Sequence, residues 1–381
     1  MKKVILLSGK SQYDVMTTWL LEIEKSLIKN NVEYIRMLDY NLENFSPKIL
    51  ENVDLIIGLN GWYVREIKKN NYLRRIPYCL WLADHPIDHV DRIKCLESND
   101  ILTVMDKKDF DFVRFLDIPC DTYFMPHAAF EISPIIFEKE LDVLFLGSYP
   151  DKQKYINGIK KLDIPVFNKI VEYIFQQCIN DDKMYYFDLF KEIMRQSDVN
   201  LQLEENEYLM TLARYIGRII NAHRRIETLK NVANSGIKLN IFGNKWENSE
   251  LFNHPNINFY PAVNYIQAQD LMKMSKITLN IQGLLYDGSH ERVYSGMANG
   301  SVTVTNRTPF LEGLFIENKE IIFYDFDKQN IVEKIKYVLN NDDIREEISQ
   351  NGRMAIIGKH TYNERVQHLI NIYNDRFNIN P

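Results

Sequence analysis

The stretch from Ile277 to Asn306 constrains this chain most. Ile277-Thr278-Leu279-Asn280-Ile281-Gln282 alternates in polarity and reads as a strand, and the β-branched run 301–305 reads as another. Between them lies Asp287-Gly288-Ser289-His290-Glu291-Arg292-Val293-Tyr294-Ser295-Gly296-Met297-Ala298-Asn299-Gly300. This is a glycine-containing loop followed by a short helix that Asn299-Gly300 closes. Strand, loop, helix and strand make one βαβ unit. The loop sits at the carboxyl end of its first strand, where open α/β sheets place ligands. The free N–H groups of the helix start there suit a phosphate.

The remaining chain is read from its start. Val4–Leu7 is a first strand, Ser8-Gly9-Lys10 a turn, and Tyr13–Lys29 an amphipathic helix. The turn lacks G-x-G-x-x-G, so a dehydrogenase reading loses its main support. Val32–Leu38 and Asp54–Leu59 are further strands, the second ending in Asn60-Gly61-Trp62. Tyr78–Leu82 is an apolar strand whose end carries Ala83-Asp84-His85-Pro86-Ile87-Asp88-His89. Asp84 beside His85 has the chemistry to take a proton from an attacking hydroxyl. The same residues also suit a capped turn, with the histidines on the surface. Ile101–Met105 and Cys120–Met125 complete this half, which ends in Pro126-His127-Ala128-Ala129.

Residues 130–140 read as a linker, and Leu141–Leu146 with Gly147-Ser148 restarts the strand-and-turn pattern. About 155–235 is helical, with Asp181-Asp182 and Asp198-Val199-Asn200 as breaks. Arg224-Arg225 lies on its last helix, and Ile237–Phe242 with Gly243-Asn244-Lys245-Trp246 is the next strand and turn. A helix follows at about 328–340, and Thr361–Arg376 carries apolar residues at helical spacing.

The run Arg292-Val293-Tyr294-Ser295-Gly296-Met297-Ala298-Asn299-Gly300, the Arg224-Arg225 helix and the "G-x-x-W" ending Gly243–Trp246 together resemble GT-B glycosyltransferases, most closely the spore-maturation CgeB-like family. Asp84 and Pro86 match that family's Asp-x-Pro. The resemblance implies an α/β protein of two Rossmann-like domains facing across a cleft. Residues 1–130 would hold the acceptor and 131–360 the nucleotide-sugar donor, with a helical insertion at about 155–235. Residues 361–381 would form a helix crossing back to the first domain. It further implies sugar transfer to a hydroxyl of a protein or glycan, without a metal or other cofactor. The donor site would comprise Gly147, Ser148, Arg225, Gly243, Lys245, Val263, Asp287, Ser289, His290, Glu291, Arg292 and Ser295, with backbone N–H groups at 289 and 290 on the diphosphate. Asp84 or His85 would be the base of an inverting reaction. Either Arg224 or Arg225 could be the arginine that points inward. Retaining members of the wider class carry two glutamates eight positions apart, and here Asp287 and Ser295 occupy those places. That departure leaves retention or inversion open. It also leaves open two alternatives on the same fold, a catalytically degenerate binding subunit and a sugar-nucleotide epimerase.

Composition narrows the classes. The 381 residues suffice for two cores, and 46 Lys+Arg against 52 Asp+Glu give −6, which argues against a nucleic-acid partner. No apolar run is long enough to span a membrane. Cys79, Cys95, Cys120 and Cys178 show no metal-ligand spacing and suit a reducing cytoplasm. Asp109-Phe110-Asp111 and Asp325-Phe326-Asp327 spell D-x-D outside any metal-binding context.

Overall fold

A computed structural model describes residues 1–7, 14–37, 50–130, 133–196, 207–326 and 328–378. The expected turn at 8–10, the break at 198–200 and Asp327 lie outside them. The first half builds β1 (Lys3–Leu7), α1 (Val15–Lys29), β2 (Glu33–Met37), β3 (Leu55–Leu59), α2 (Val64–Lys69), β4 (Tyr78–Trp81), α3 (Val90–Ile93), β5 (Ile101–Val104), α4 (Asp109–Phe115) and β6 (Asp121–Phe124). The strands form a parallel sheet in the order β2-β1-β3-β4-β5-β6. Near-continuous apolar strands such as Leu55–Leu59, buried on both faces, are what a covered parallel sheet requires.

The second half opens with β7 (Leu141–Leu146), then four helices: α5 (Lys152–Lys161), α6 (Pro165–Asn180), α7 (Tyr186–Gln196) and α8 (Glu207–Asn234). There follow β8 (Leu239–Phe242), β9 (Ile257–Tyr260), α9 (Tyr265–Lys273), β10 (Ser275–Asn280), α10 (Glu291–Ala298), β11 (Val302–Asn306), α11 (Pro309–Glu312), β12 (Ile322–Tyr324), α12 (Lys328–Leu339), α13 (Asp342–Ile356) and α14 (Tyr362–Arg376). This sheet is also parallel, ordered β12-β11-β10-β7-β8-β9. Strand order reverses direction at β1/β3 in the first sheet and at β7/β10 in the second, and such switch points are where α/β sheets leave a crevice for ligands.

Three features join the halves. α14 starts from a capping box at Thr361 and Glu364 and returns to the first domain. There Val366, Leu369, Ile372 and Tyr373 share a core with Trp19, Leu20, Ile23 and Leu27 of α1. The helical insertion crosses the gap on the other side. Phe187 of α7 packs at 4.8 Å on Phe112 of α4, and both are fully buried. Burial of each such ring is worth about 1.5–3 kcal/mol, so the insertion is part of the first domain's core as well as an outgrowth of the second. Arg224 fixes its other end, donating to the carbonyls of Cys178 (3.0 Å) and Gly283 (3.1 Å). The third feature is Asp106, at the end of β5. Its carboxylate accepts the N–H groups of Tyr286 (2.6 Å) and Asp287 (3.1 Å) in the loop after β10. Gly288 lies so close there that a Cβ would stand 2.5 Å from the Met105 carbonyl.

Candidate functional site

Between the two switch points lies a cavity of about 580 Å³. On the second-domain side its floor is the Gly147-Ser148 turn after β7. Gly243 packs against that turn, and a Cβ at 243 would stand 2.2 Å from the Gly147 carbonyl oxygen, so only glycine lets the β7 and β8 turns meet. Trp246 locks the pair by donating its Nε1–H to the same carbonyl (2.9 Å).

Two arginines converge on this floor. Arg292, in the first turn of α10, donates to the Leu146 carbonyl and, through Nε, to His290 Nδ1 (3.3 Å). Arg225, on α8, donates to the Ser148 carbonyl (3.0 Å). Each guanidinium lies 5.7 Å from the Phe145 ring, two residues before the turn. Burial pushes Arg292 down to about 10. Arg225 is brought to about 9 by burial and then by the charges of Arg292 and Arg218. Both stay protonated at neutral pH, and an anion seated between them would relieve the cost of their burial. Of the two candidates on α8, Arg225 is therefore the one beside the cleft floor.

His290 is the N-cap of α10, its Nδ1 accepting the Arg292 N–H at 3.2 Å. Burial, then the charges of Arg292, His127 and Arg225, hold this imidazole well below its ordinary value, so it is neutral. Glu291 also lines the cavity. Its carboxylate accepts hydrogen bonds from the hydroxyls of Tyr265 and Ser295. Burial raises it, against those two hydrogen bonds. Ser295 is fully buried one helical turn behind Glu291, so it acts on the cavity only through that carboxylate and the Tyr265 hydroxyl, 3.3 Å away. Farther along the same wall lie Ala262, Val263 and Gln269. Gln269 Nε2 and, from α1, Trp19 Nε1 are buried donors without a partner among the described residues.

The first-domain wall is organised by Asn60, at the end of β3. Its side chain accepts the Ala83 N–H (2.7 Å) and donates to Asp84 (2.8 Å), while its carbonyl takes the Arg92 guanidinium (2.7 Å). Asp84 lies on the cavity with its side chain 58% accessible, and His89 Nε2 stands 3.7 Å from its carboxylate. Burial pushes Asp84 up, but the proximity and charge of His89, with the Asn60 amide, outweigh it and hold the carboxyl below the usual range. Among the described residues His89 Nε2 makes no closer hydrogen bond. The Asp84–His89 pair thus shares one cavity with Arg292, and Arg225 supports that cavity's floor from the Ser148 carbonyl.

Several expected site residues lie elsewhere. His85 is buried under the wall, its Nδ1 accepting the Ile87 N–H and its Nε2 meeting the Tyr185 hydroxyl, both at 3.1 Å. Burial lowers it to about 4, so it is a neutral packing residue between the first domain and the insertion. The strand turns sharply at Pro86, which sends neighbouring side chains in opposite directions and leaves His89, rather than His85, beside Asp84. Asp287 belongs to the Asp106 contact between the domains. Ser289 is fully buried, and the His290 N–H is taken by Gln282 (2.8 Å), so these two backbone positions do not present free donors to the cavity as expected. Lys245 is exposed in a left-handed turn (φ 67°) outside the cavity wall. The residues not anticipated are Asn60, His89 and Arg92. The sequence signals near them are two polar runs at strand ends, Asn60-Gly61-Trp62 and Ala83–His89, the second of which contains His89 itself. Among the described residues no cluster of three or more His, Cys, Asp or Glu is arranged to hold a metal ion.

Comparison with known proteins adds three findings. Residues 223–371, which include Arg225, His290, Glu291 and Arg292, match the model of the family described as glycosyl transferase-like. No curated protein shows a significant sequence match. Among solved structures, sucrose-phosphate synthase from Thermosynechococcus elongatus superposes over the full length of both chains, with a TM-score of 0.61 at 9% identity. A DNA-modifying β-glucosyltransferase does so with 0.58 at 9%. HepE of Anabaena, solved with UDP and glucose, gives 0.54 at 10% over 98% of this chain and all of that one. The chain therefore has the two-domain GT-B fold, and its residues 223–371 carry the signature of the glycosyl transferase-like family.

Proposed function

We propose that this protein is a glycosyltransferase that moves a sugar from a nucleotide-sugar to an acceptor hydroxyl. The observation that carries the reading is the placing of Arg292 and the Asp84–His89 pair around one cavity, with Arg225, which no carboxylate among the described residues neutralises, bonded to the Ser148 carbonyl of its floor. The diphosphate would lie on the Gly147-Ser148 turn between the arginines. Their positive charge stabilises the negative charge that develops on the leaving nucleoside diphosphate, without a metal. The nucleoside would run along Ala262 and Val263, with Glu291 on the same cavity to bind its hydroxyls. Neighbours of the same fold solved with UDP or uridine diphosphoglucose make UDP the first nucleotide to test.

On the acceptor side, Asp84 accepts the proton of the attacking hydroxyl as the new bond to the sugar forms, and His89 holds the carboxylate ionised. This order of events inverts configuration. Ser295 in the place of a second glutamate is compatible with it, because Glu291 already supplies a carboxylate one turn earlier. The features shared with the CgeB-like branch support membership of that branch within this reading. The four cysteines are free thiols, which suits a cytoplasmic enzyme.

The test is calorimetric titration with UDP, GDP, dTDP and ADP, each with and without a divalent metal. One nucleotide binding in the micromolar range, equally in both conditions, is the expected result. If none binds, the alternative is a catalytically degenerate subunit of the same fold.

A further inference from the structure

A second cavity of about 520 Å³ opens beside the acceptor wall. Trp62, His89 and Arg92 line both cavities, so the two are neighbours that share these side chains as a common wall. The connecting loop is held in an unusual shape. Asn60 (φ 51°), Gly61 (φ 72°) and Tyr63 (φ 56°) all take left-handed backbone conformations, which side-chain-bearing residues adopt only where the surroundings enforce them. Here the enforcement comes from the Tyr78 hydroxyl, which donates to the Trp62 carbonyl (2.6 Å) from a fully buried ring. The Trp62 and Tyr63 rings, 6.2 Å apart, both line the second cavity, and Trp62 lines the first as well.

The rest of the wall is made of oriented charges. Arg65 pairs with Asp91 at 3.1 Å, and Arg214 donates to the Ile87 carbonyl at 2.7 Å. Arg92, bonded to the Asn60 carbonyl, forms no ion pair among the described residues. A flat aromatic face beside fixed donors and acceptors matches a sugar ring, which presents C–H groups on its faces and hydroxyls round its edge. The site has little to offer an apolar ligand. His89, 3.7 Å from the Asp84 carboxylate, belongs to both walls, so the second cavity lies directly beside Asp84.

Building on the glycosyltransferase reading, we propose that this second cavity is a glycan subsite. The acceptor is a sugar chain of two or more units, with its reacting unit at Asp84 and the next against Trp62 and Arg92. A single sugar or a peptide hydroxyl would leave the second cavity empty.

The experiment is binding of the UDP-saturated protein to an array that carries monosaccharides, di- and trisaccharides and Ser/Thr peptides. Some di- or trisaccharide should be held about ten-fold or more over its own terminal monosaccharide. That ratio should fall towards one in Trp62→Ala and in Glu66→Ala, since Trp62 and Glu66 both line the second cavity. Equal retention of mono- and disaccharides, retention of peptides instead, or retention of no saccharide would each overturn the proposal. Calorimetry on the same preparation separates this failure from failure of the donor reading. UDP that binds without any saccharide preference removes only the subsite, whereas absence of nucleotide binding removes the donor site on which it rests.

Discussion

Arg292→Ala separates the donor wall from the acceptor wall. Arg292 is 8% exposed, and burial brings it down to about 10. That depression corresponds to roughly 3 kcal/mol against the charged form. A diphosphate bound beside it would relieve much of this cost and accept charge-assisted hydrogen bonds worth about 1.5–3 kcal/mol. Removing the side chain forfeits the bonds and abolishes the cost together, so the net loss of UDP affinity should be about 2–3 kcal/mol, or about 30–150-fold in Kd. Arg292→Lys should fall between, because an ammonium keeps the charge and loses the planar fork. Asp84→Ala, on the opposite wall, should shift UDP affinity by less than about three-fold. The assay is isothermal calorimetry at fixed ionic strength. Thermal melting must accompany it, since loss of Arg292 also leaves the Leu146 carbonyl without its donor. If Asp84→Ala weakens UDP more than Arg292→Ala does, the nucleotide sits on the first sheet and the assignment of walls is reversed.

Asp84→Asn should lower kcat by about 100-fold or more with little change in donor KM, and His89→Asn should lower it less, because His89 acts through the carboxylate; steady-state kinetics at saturating donor distinguish the two. For His85 the sign follows from its folded value of about 4, below the ordinary 6.5. The unfolded chain therefore takes up its proton first, and the stability His85 contributes is present above about pH 6.5 and falls by roughly 2 kcal/mol by about pH 5. His85→Gln lacks this term, so the stability gap between parent and variant in urea unfolding should narrow by that amount between about pH 7.5 and about pH 5. A constant gap would contradict a buried neutral imidazole. Ser295→Glu should destabilise the fold by about 2–4 kcal/mol, since it places a second carboxylate against Glu291 in a fully buried position; an unchanged melting temperature would show that α10 has room the structure does not.

Much of the fold is legible in short stretches of sequence. The strands at 55–59 and 78–81 are apolar runs and that at 275–280 alternates in polarity, each with turn residues after it, and local patterning alone specifies them. Arg292, Glu291 and Gly147 are reached as cleft candidates through the family resemblance, and each follows a strand's carboxyl end, where ligand crevices lie. Asp84 is legible for that reason too. Pairing Asp84 with His85 is a local inference that fails on geometry: the chain reverses at Pro86, and the imidazole of His85 is drawn into the aromatic core shared with Tyr185 and Phe112.

Residue order along the chain is enough to specify two parallel sheets and the strand ends that carry polar groups, because those properties depend on neighbours in the sequence. Which strand ends meet is a matter of three-dimensional packing. Packing brings Asn60 to Asp84, 24 positions away, and Arg225 to Ser148, 77 positions away. It also turns the helical segment, which reads as an outgrowth, into a strut whose Phe187 packs on Phe112 of the other domain. Such contacts follow from which apolar faces bury against one another. That is settled by the whole chain, in which each surface competes for the same water-excluded volume, and not by any local pattern.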